Sequence, residues 1–213
     1  MEIQILPFVV TLLELLAAIF ALVHYDKYKG SKEGIFLYFL WYTFLLDVTG
    51  AVLGYGFEQN NIWLYNAYTI TSFSFYFYWY STILERKGPK IAIPIFVAVF
   101  VIVAVASLFV QKWLEYHSYT FATGALFVLV LTVIHFYQLL RSDEVLNIKH
   151  KLSFWISTGL LLFYMGMIPL MLLSKYLGFG GGSYYIILVS LNAILYGCYI
   201  IGFVWTKKKY NRF

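Results

Sequence analysis

Seven apolar runs, at roughly 5–24, 35–55, 61–84, 91–110, 117–140, 152–174 and 184–205, take up almost the whole chain. An α-helix rises 1.5 Å per residue, so about 20 residues cross the roughly 30 Å hydrocarbon core of a bilayer. Within hydrocarbon every backbone N–H and C=O must be satisfied inside the protein, which favours helices over open strands. Only 12% of the residues are charged, against about a quarter in a soluble domain. The expected fold is therefore all-α: one polytopic membrane domain, 1–213, of seven transmembrane helices with short loops and no length left for a soluble domain. The first run begins Met-Glu-Ile-Gln, with no basic n-region and no small-x-small cleavage site, and is expected to remain as a span. Cys198 is the sole cysteine and lies in the last run, so no intramolecular disulfide can form.

The basic residues fix an expected orientation. Segments 25–34, 85–90, 141–151 and 206–213 hold 13 of the 15 Lys and Arg, and only Lys112 and Lys175 fall on the other side. The positive-inside rule then gives N-out and C-in. The net charge of +5 needs no nucleic acid to explain it, because anionic lipid at the inner face suffices.

The third and seventh runs share a pattern. Each has Asn-Ala, then Phe-x-Trp, then a basic cluster, with 13 residues from Asn66 to Trp79 and 13 from Asn192 to Trp205. His24 and His135 fall at matching places in runs one and five, as do Trp41 and Trp155 in runs two and six. The pattern reads as two repeat units, 5–84 and 117–205, joined by a linker helix at 91–110. Three-helix units separated by one helix have the same orientation, a parallel repeat of the kind some transporters use. Interfacial Trp and Lys/Arg would mark the ends of any membrane helix, so the Asn pair carries most of this reading.

The 3+1+3 layout with Asn66 and Asn192 resembles the SWEET and PQ-loop transporters. That resemblance implies that the two Asn face a central pocket, with Trp41 and Trp155 above or below it. The family's Pro-Gln hinges are missing: Pro7 is followed by Phe8, and the fifth run has no Pro. In texture, rich in Tyr, Phe, Ile and Lys, the chain also resembles uncharacterised seven-helix inner-membrane proteins of Bacteroidota, which implies the bacterial inner membrane and names no activity.

Two carboxyl groups lie deep within runs. Glu14 is ten residues from His24, about 15 Å along a helix, and Asp47 is similarly deep in the second run. Ionisable groups at such depth are costly and mark functional sites by default. Thr11, Glu14, Ala18 and Ala21 form one stripe at helical spacing, and Thr43, Asp47, Gly50 and Gly54 another. Small residues let helices approach, so both stripes should face protein. In one reading Glu14, Asp47, Asn66 and Asn192 surround a polar cavity that holds a shared proton or a hydroxyl- or amine-bearing ligand. In the other each is hydrogen-bonded glue between helices. Gly50-Ala-Val-Leu-Gly54 is a GxxxG pattern and predicts a tight crossing.

The aromatic run Phe73 to Tyr80 covers every side of its helix, so belts and core packing explain most of it. A subset, Tyr76 with Tyr80, can form a stacking platform. His24 and His135 invite a bis-His haem, but the expectation is interfacial, snorkelling histidines and no cofactor. There is no His/Cys/carboxylate cluster for a metal. No Ser elbow, HExxH, P-loop or paired-Cys motif appears, and "GFGGGS" at Gly178 to Ser183 reads as a turn. The expected function is small-molecule transport or ligand binding rather than catalysis. The alternative is a sensor or subunit docking a protein partner through 141–151 and 206–213. An intramembrane lipid enzyme using Glu14 and Asp47 ranks last.

Overall fold

A computed structural model of the protein describes residues 2–85, 87–111, 114–142, 145–177 and 181–211, with the side chains of 2–7, 87–90, 173–177 and 181 excepted. Each apolar run becomes a helix: α1 Glu2–Val23, α2 Phe36–Ala51, α3 Ile62–Ile83, α4 Lys87–Val110, α5 Ser118–Leu140, α6 Leu152–Leu177 and α7 Gly181–Trp205. No strand occurs among the described residues. The breaks fall where the sequence turns polar. Ser31 caps a 3-10 turn ahead of α2, its Oγ accepting the Glu33 N–H at 3.3 Å. Beyond α2 the helix loosens into a π turn, Val52–Gly56. Residue Gly178 and its neighbours to Gly180, in the glycine-rich turn, lie outside the described residues.

Among the described residues five helical stretches are long and apolar enough to cross a bilayer, Lys32–Gly56, Ile91–Val110, Ser118–Leu140, Leu152–Leu172 and Gly182–Trp205, and Phe8–Val23 is a shorter apolar helix. The sequence predicts seven spans. The aromatic α3 is absent from the five because it is dense in Tyr, Ser and Thr. Large apolar side chains point outward along most helices, among them Leu12, Val23, Ile102, Phe109 and Met165. Surface of that kind, with the apolar spans, belongs in lipid rather than water. The protein is a helical multi-pass membrane protein.

The chain forms two compact units, 1–44 with 132–213, and 45–131, so that the division falls within α2 and within α5. This partition cuts across the proposed repeat halves. In the first unit α1 and α6 both pack on α7. The α6–α7 seam is antiparallel and lined by glycine. A Cβ on Gly159 would lie 3.1 Å from the Leu195 carbonyl oxygen, and one on Gly202 would lie 2.7 Å from Trp155 Cβ. Of the stripe on α1, Glu14, Ala18 and Ala21 are buried and Thr11 is half-buried, while Leu12, Leu16, Ile19 and Leu22 are exposed. In the second unit the core is aromatic. Phe73 meets Phe100 and Phe121 edge-on, each at 5.7 Å, and Phe96 stacks on Phe127 at 4.4 Å. Edge and offset contacts suit the ring quadrupole.

Candidate functional site

The carboxyl of Glu14 sits in mid-helix with 6% of the residue exposed. The Tyr196 hydroxyl of α7 donates to its Oε1 at 2.9 Å. Further along, Lys27 Nζ donates to the Val204 carbonyl at 2.8 Å. The two links run in the same sequence direction on both helices, so α1 and α7 are parallel. Asn192, a turn before Tyr196, turns its amide back to the Leu188 carbonyl of its own helix at 2.8 Å.

Asp47 and Asn66 belong to the other unit. Tyr65 donates its hydroxyl to Asp47 Oδ1 at 3.3 Å, and Asn61 Nδ2 donates to the Gly50 carbonyl at 2.7 Å. A Cβ on Gly50 would lie 2.6 Å from the Tyr65 hydroxyl, and one on Gly54 would lie 2.9 Å from Asn61 Nδ2. The GxxxG notch therefore admits two polar side chains from the start of α3, and not only a bare helix crossing. Asn66 is a clamp. Its Nδ2 donates to the Glu115 carbonyl and its Oδ1 accepts the His117 N–H, both at 3.0 Å. Thr69 and Tyr116 share a hydroxyl–hydroxyl bond at 3.0 Å beside it. The two Asn that match in sequence thus do different work, one pinning the α4–α5 connection and one bonding within its helix. Burial pushes the His117 imidazole below its ordinary pKa.

The aromatic candidates lie on three helices, α2, α3 and α6. Tyr76 is buried in α3 beside Phe75. Trp41 is half-buried and meets Phe44 edge-on at 6.0 Å. Trp155 Nε1 donates to the Lys149 carbonyl at 2.9 Å, and its ring meets Trp205 edge-on at 5.6 Å. His24 bonds the Phe20 carbonyl through Nδ1 at 3.0 Å. His135 departs from the expected snorkelling position: it is 4% exposed, because its helix face packs inward. Among the described residues no group of three His, Cys, Asp or Glu side chains is placed to hold a metal.

Two features escaped the sequence. Glu33 is buried ahead of α2, with the buried Lys151 in electrostatic reach of both it and His135. The second is an open pocket of about 600 Å³ at the C-terminal end of α7, lined by Lys27, Lys149, His150, Trp205, Lys207 and Lys208 among others. The last four carbonyls of a helix lack intrahelical partners unless something caps them. Here all four are taken. Thr206 N–H reaches Gly202 O at 2.9 Å, Lys27 Nζ reaches Phe203 O at 3.5 Å and Val204 O at 2.8 Å, and His150 Nδ1 lies 3.1 Å from Trp205 O. The tail is tied down too. Asn211 Oδ1 accepts the Leu152 N–H at 3.1 Å, capping α6, and Thr206 Oγ1 donates to His150 O at 3.2 Å. The clustered lysines were visible in the sequence, but their convergence with Lys27 was not.

No protein-family model, curated protein or solved structure matches the chain.

Proposed function

We propose that the protein is a seven-span protein of the bacterial inner membrane, N-out and C-in, that binds or transports a small hydrophilic or amphipathic molecule through its polar interior. The observation that carries this reading is the Glu14–Tyr196 pair. A carboxyl in mid-span has a high desolvation cost unless it is partnered, and a phenol is a partner that can follow it through protonation and deprotonation. Asp47 with Tyr65 gives the second unit a like arrangement.

The span count draws support from direction. Each crossing reverses the chain, so helices α1 and α7 run parallel only with an odd number of crossings between them. If α3 did not cross, α2, α4, α5 and α6 would make four. The α3 helix has 22 residues, about 33 Å at 1.5 Å each. Its Ser and Thr hydroxyls bond back within it, among them Thr71 on Ala67 O, Ser74 on Ile70 O, Ser81 on Tyr78 O and Thr82 on Trp79 O. Sidedness draws support from the first unit, where residues of three of the expected inner segments, 25–34, 141–151 and 206–213, gather at the end of α7. The 3+1+3 repeat and the transporter likeness belong to the same proposal, and the differing bonds of Asn66 and Asn192 weigh against a shared ligand role.

The test is Glu14→Gln in proteoliposomes. The amide keeps shape and hydrogen bonding but carries no exchangeable acid proton. The expected result is lost ligand binding or proton-linked flux with little change in melting temperature. A variant that melts earlier yet keeps its flux would leave Glu14 as interhelical glue and overturn the reading. A second reading, a subunit docking a protein partner, is favoured by the exposed Lys207–Lys209 of the tail; a stable complex after gentle solubilisation would support it.

A further inference from the structure

The pocket at the end of α7 has an unusual electrical character for a helix C-terminus. Such an end normally presents unpaired carbonyls and the negative pole of the helix dipole. Here the carbonyls are already bonded to Lys27, His150 and Thr206. The lining keeps three further lysines, Lys149, Lys207 and Lys208, all exposed and none of them in an ion pair among the described residues. The carboxylate that acts on Lys208, Asp26, is bonded to Lys29 at 2.6 Å. The walls are held in place, because Asn211 and Thr206 fasten the tail to the start of α6 and to His150.

Part of the lining is apolar. Val204 and Trp205 are the last residues of a membrane span and are 40% and 50% exposed. A ligand that matches both the lysines and the apolar residues has a phosphate at one end and hydrocarbon at the other. We propose that this pocket is a binding site for the phosphate headgroup of an anionic membrane lipid, with the lysines on the phosphate and an acyl chain lying along Val204 and Trp205. The shared chemistry with a free phosphate ester is the anion. The apolar wall at the end of a span is what points to the lipid, since a soluble phosphate has no use for it.

The test uses the intact protein in phosphatidylcholine nanodiscs and titrates phosphatidylglycerol, with binding read by native mass spectrometry. Each lysine near an anionic lipid phosphate contributes roughly five-fold in affinity, so the triple variant Lys149→Gln, Lys207→Gln, Lys208→Gln is expected to weaken binding on the order of 100-fold. The control is Lys209→Gln. It removes the same charge from the same tail, but Lys209 lies over the Tyr210 ring at 5.6 Å and does not line the pocket. Its expected effect is less than two-fold. Melting temperatures should agree across all variants, because the four lysines are exposed. Equal losses for Lys209→Gln and Lys208→Gln would mean diffuse attraction to a charged surface and would overturn the site. Inorganic phosphate or glycerol phosphate binding as tightly as phosphatidylglycerol would overturn the assignment to a lipid.

Discussion

Replacing Asn66 by Ala should unfasten the α4–α5 connection, and Asn192 should not behave like its sequence partner. Asn66 makes two bonds to residues about fifty positions away, to Glu115 O and from the His117 N–H. Alanine leaves that buried N–H without an acceptor, at a cost of about 1–3 kcal/mol. The Glu115 carbonyl is on an exposed residue and regains water, so its lost bond adds only about 0.5–1 kcal/mol. Alanine returns roughly 0.6 kcal/mol through better helix propensity. The net destabilisation is about 2 kcal/mol, which for a chain of this length corresponds to about 4–8 °C in melting temperature. Asn66→Asp keeps an acceptor for His117 but sets a carboxylate against the Glu115 carbonyl, so it should fare no better than Ala. Asn192 loses only a bond to Leu188 of its own helix, a back-bond of the type that adds little to a helix; Asn192→Ala should cost under about 1 kcal/mol. Thermal unfolding in detergent, with protease access to 114–118, measures all three. An Asn66→Ala protein that melts within about 1 °C of the parent would refute the clamp. So would equal effects at the two Asn.

Two further outcomes follow from close contacts in the second unit. Gly50→Ala should push Tyr65 off Asp47, since the added Cβ would lie 2.6 Å from the hydroxyl; overpacking of this kind costs about 1–3 kcal/mol. In a Tyr65→Phe background the same change should cost less, and an additive double-mutant cycle would contradict the contact. His117 supplies a pH dependence. Its folded pKa lies below the unfolded value of about 6.5, so the unfolded chain binds the proton first. Stability should be level above about pH 7 and decline as pH falls through 6.5, and His117→Asn should flatten that decline; an unchanged slope would exclude His117 as its source.

Helix positions were legible because hydrocarbon imposes one simple demand, that a segment satisfy its own backbone over about 30 Å. That demand writes itself as run length. The burial of Glu14, Ala18 and Ala21 followed from spacing for the same reason: small residues at three- and four-residue intervals lie on one face. What spacing cannot encode is which distant group each polar side chain meets. Asn66 and Asn192 look alike in their local sequence, yet one is bonded across to the chain at Glu115 and His117 while the other is bonded to the turn behind it. Their difference lies in the partner strand of chain, not in their own.

Helix α3 illustrates the same limit from the other side. A hydropathy scale charges each Ser, Thr and Tyr with the full cost of desolvating a hydroxyl. In place, Thr69, Thr71, Ser74, Ser81 and Thr82 each donate to a carbonyl three or four residues back. That bond replaces water before any neighbour is met, so most of the cost is already offset within the helix. A polar helix of this kind crosses lipid if its remaining polar atoms find protein. Tyr76, Trp79 and Tyr80 are buried, and Thr69 reaches Tyr116. On the proposed seven-span reading, the parallel course of α1 and α7 needs an odd number of crossings between them, and α3 is the helix proposed to supply the fifth.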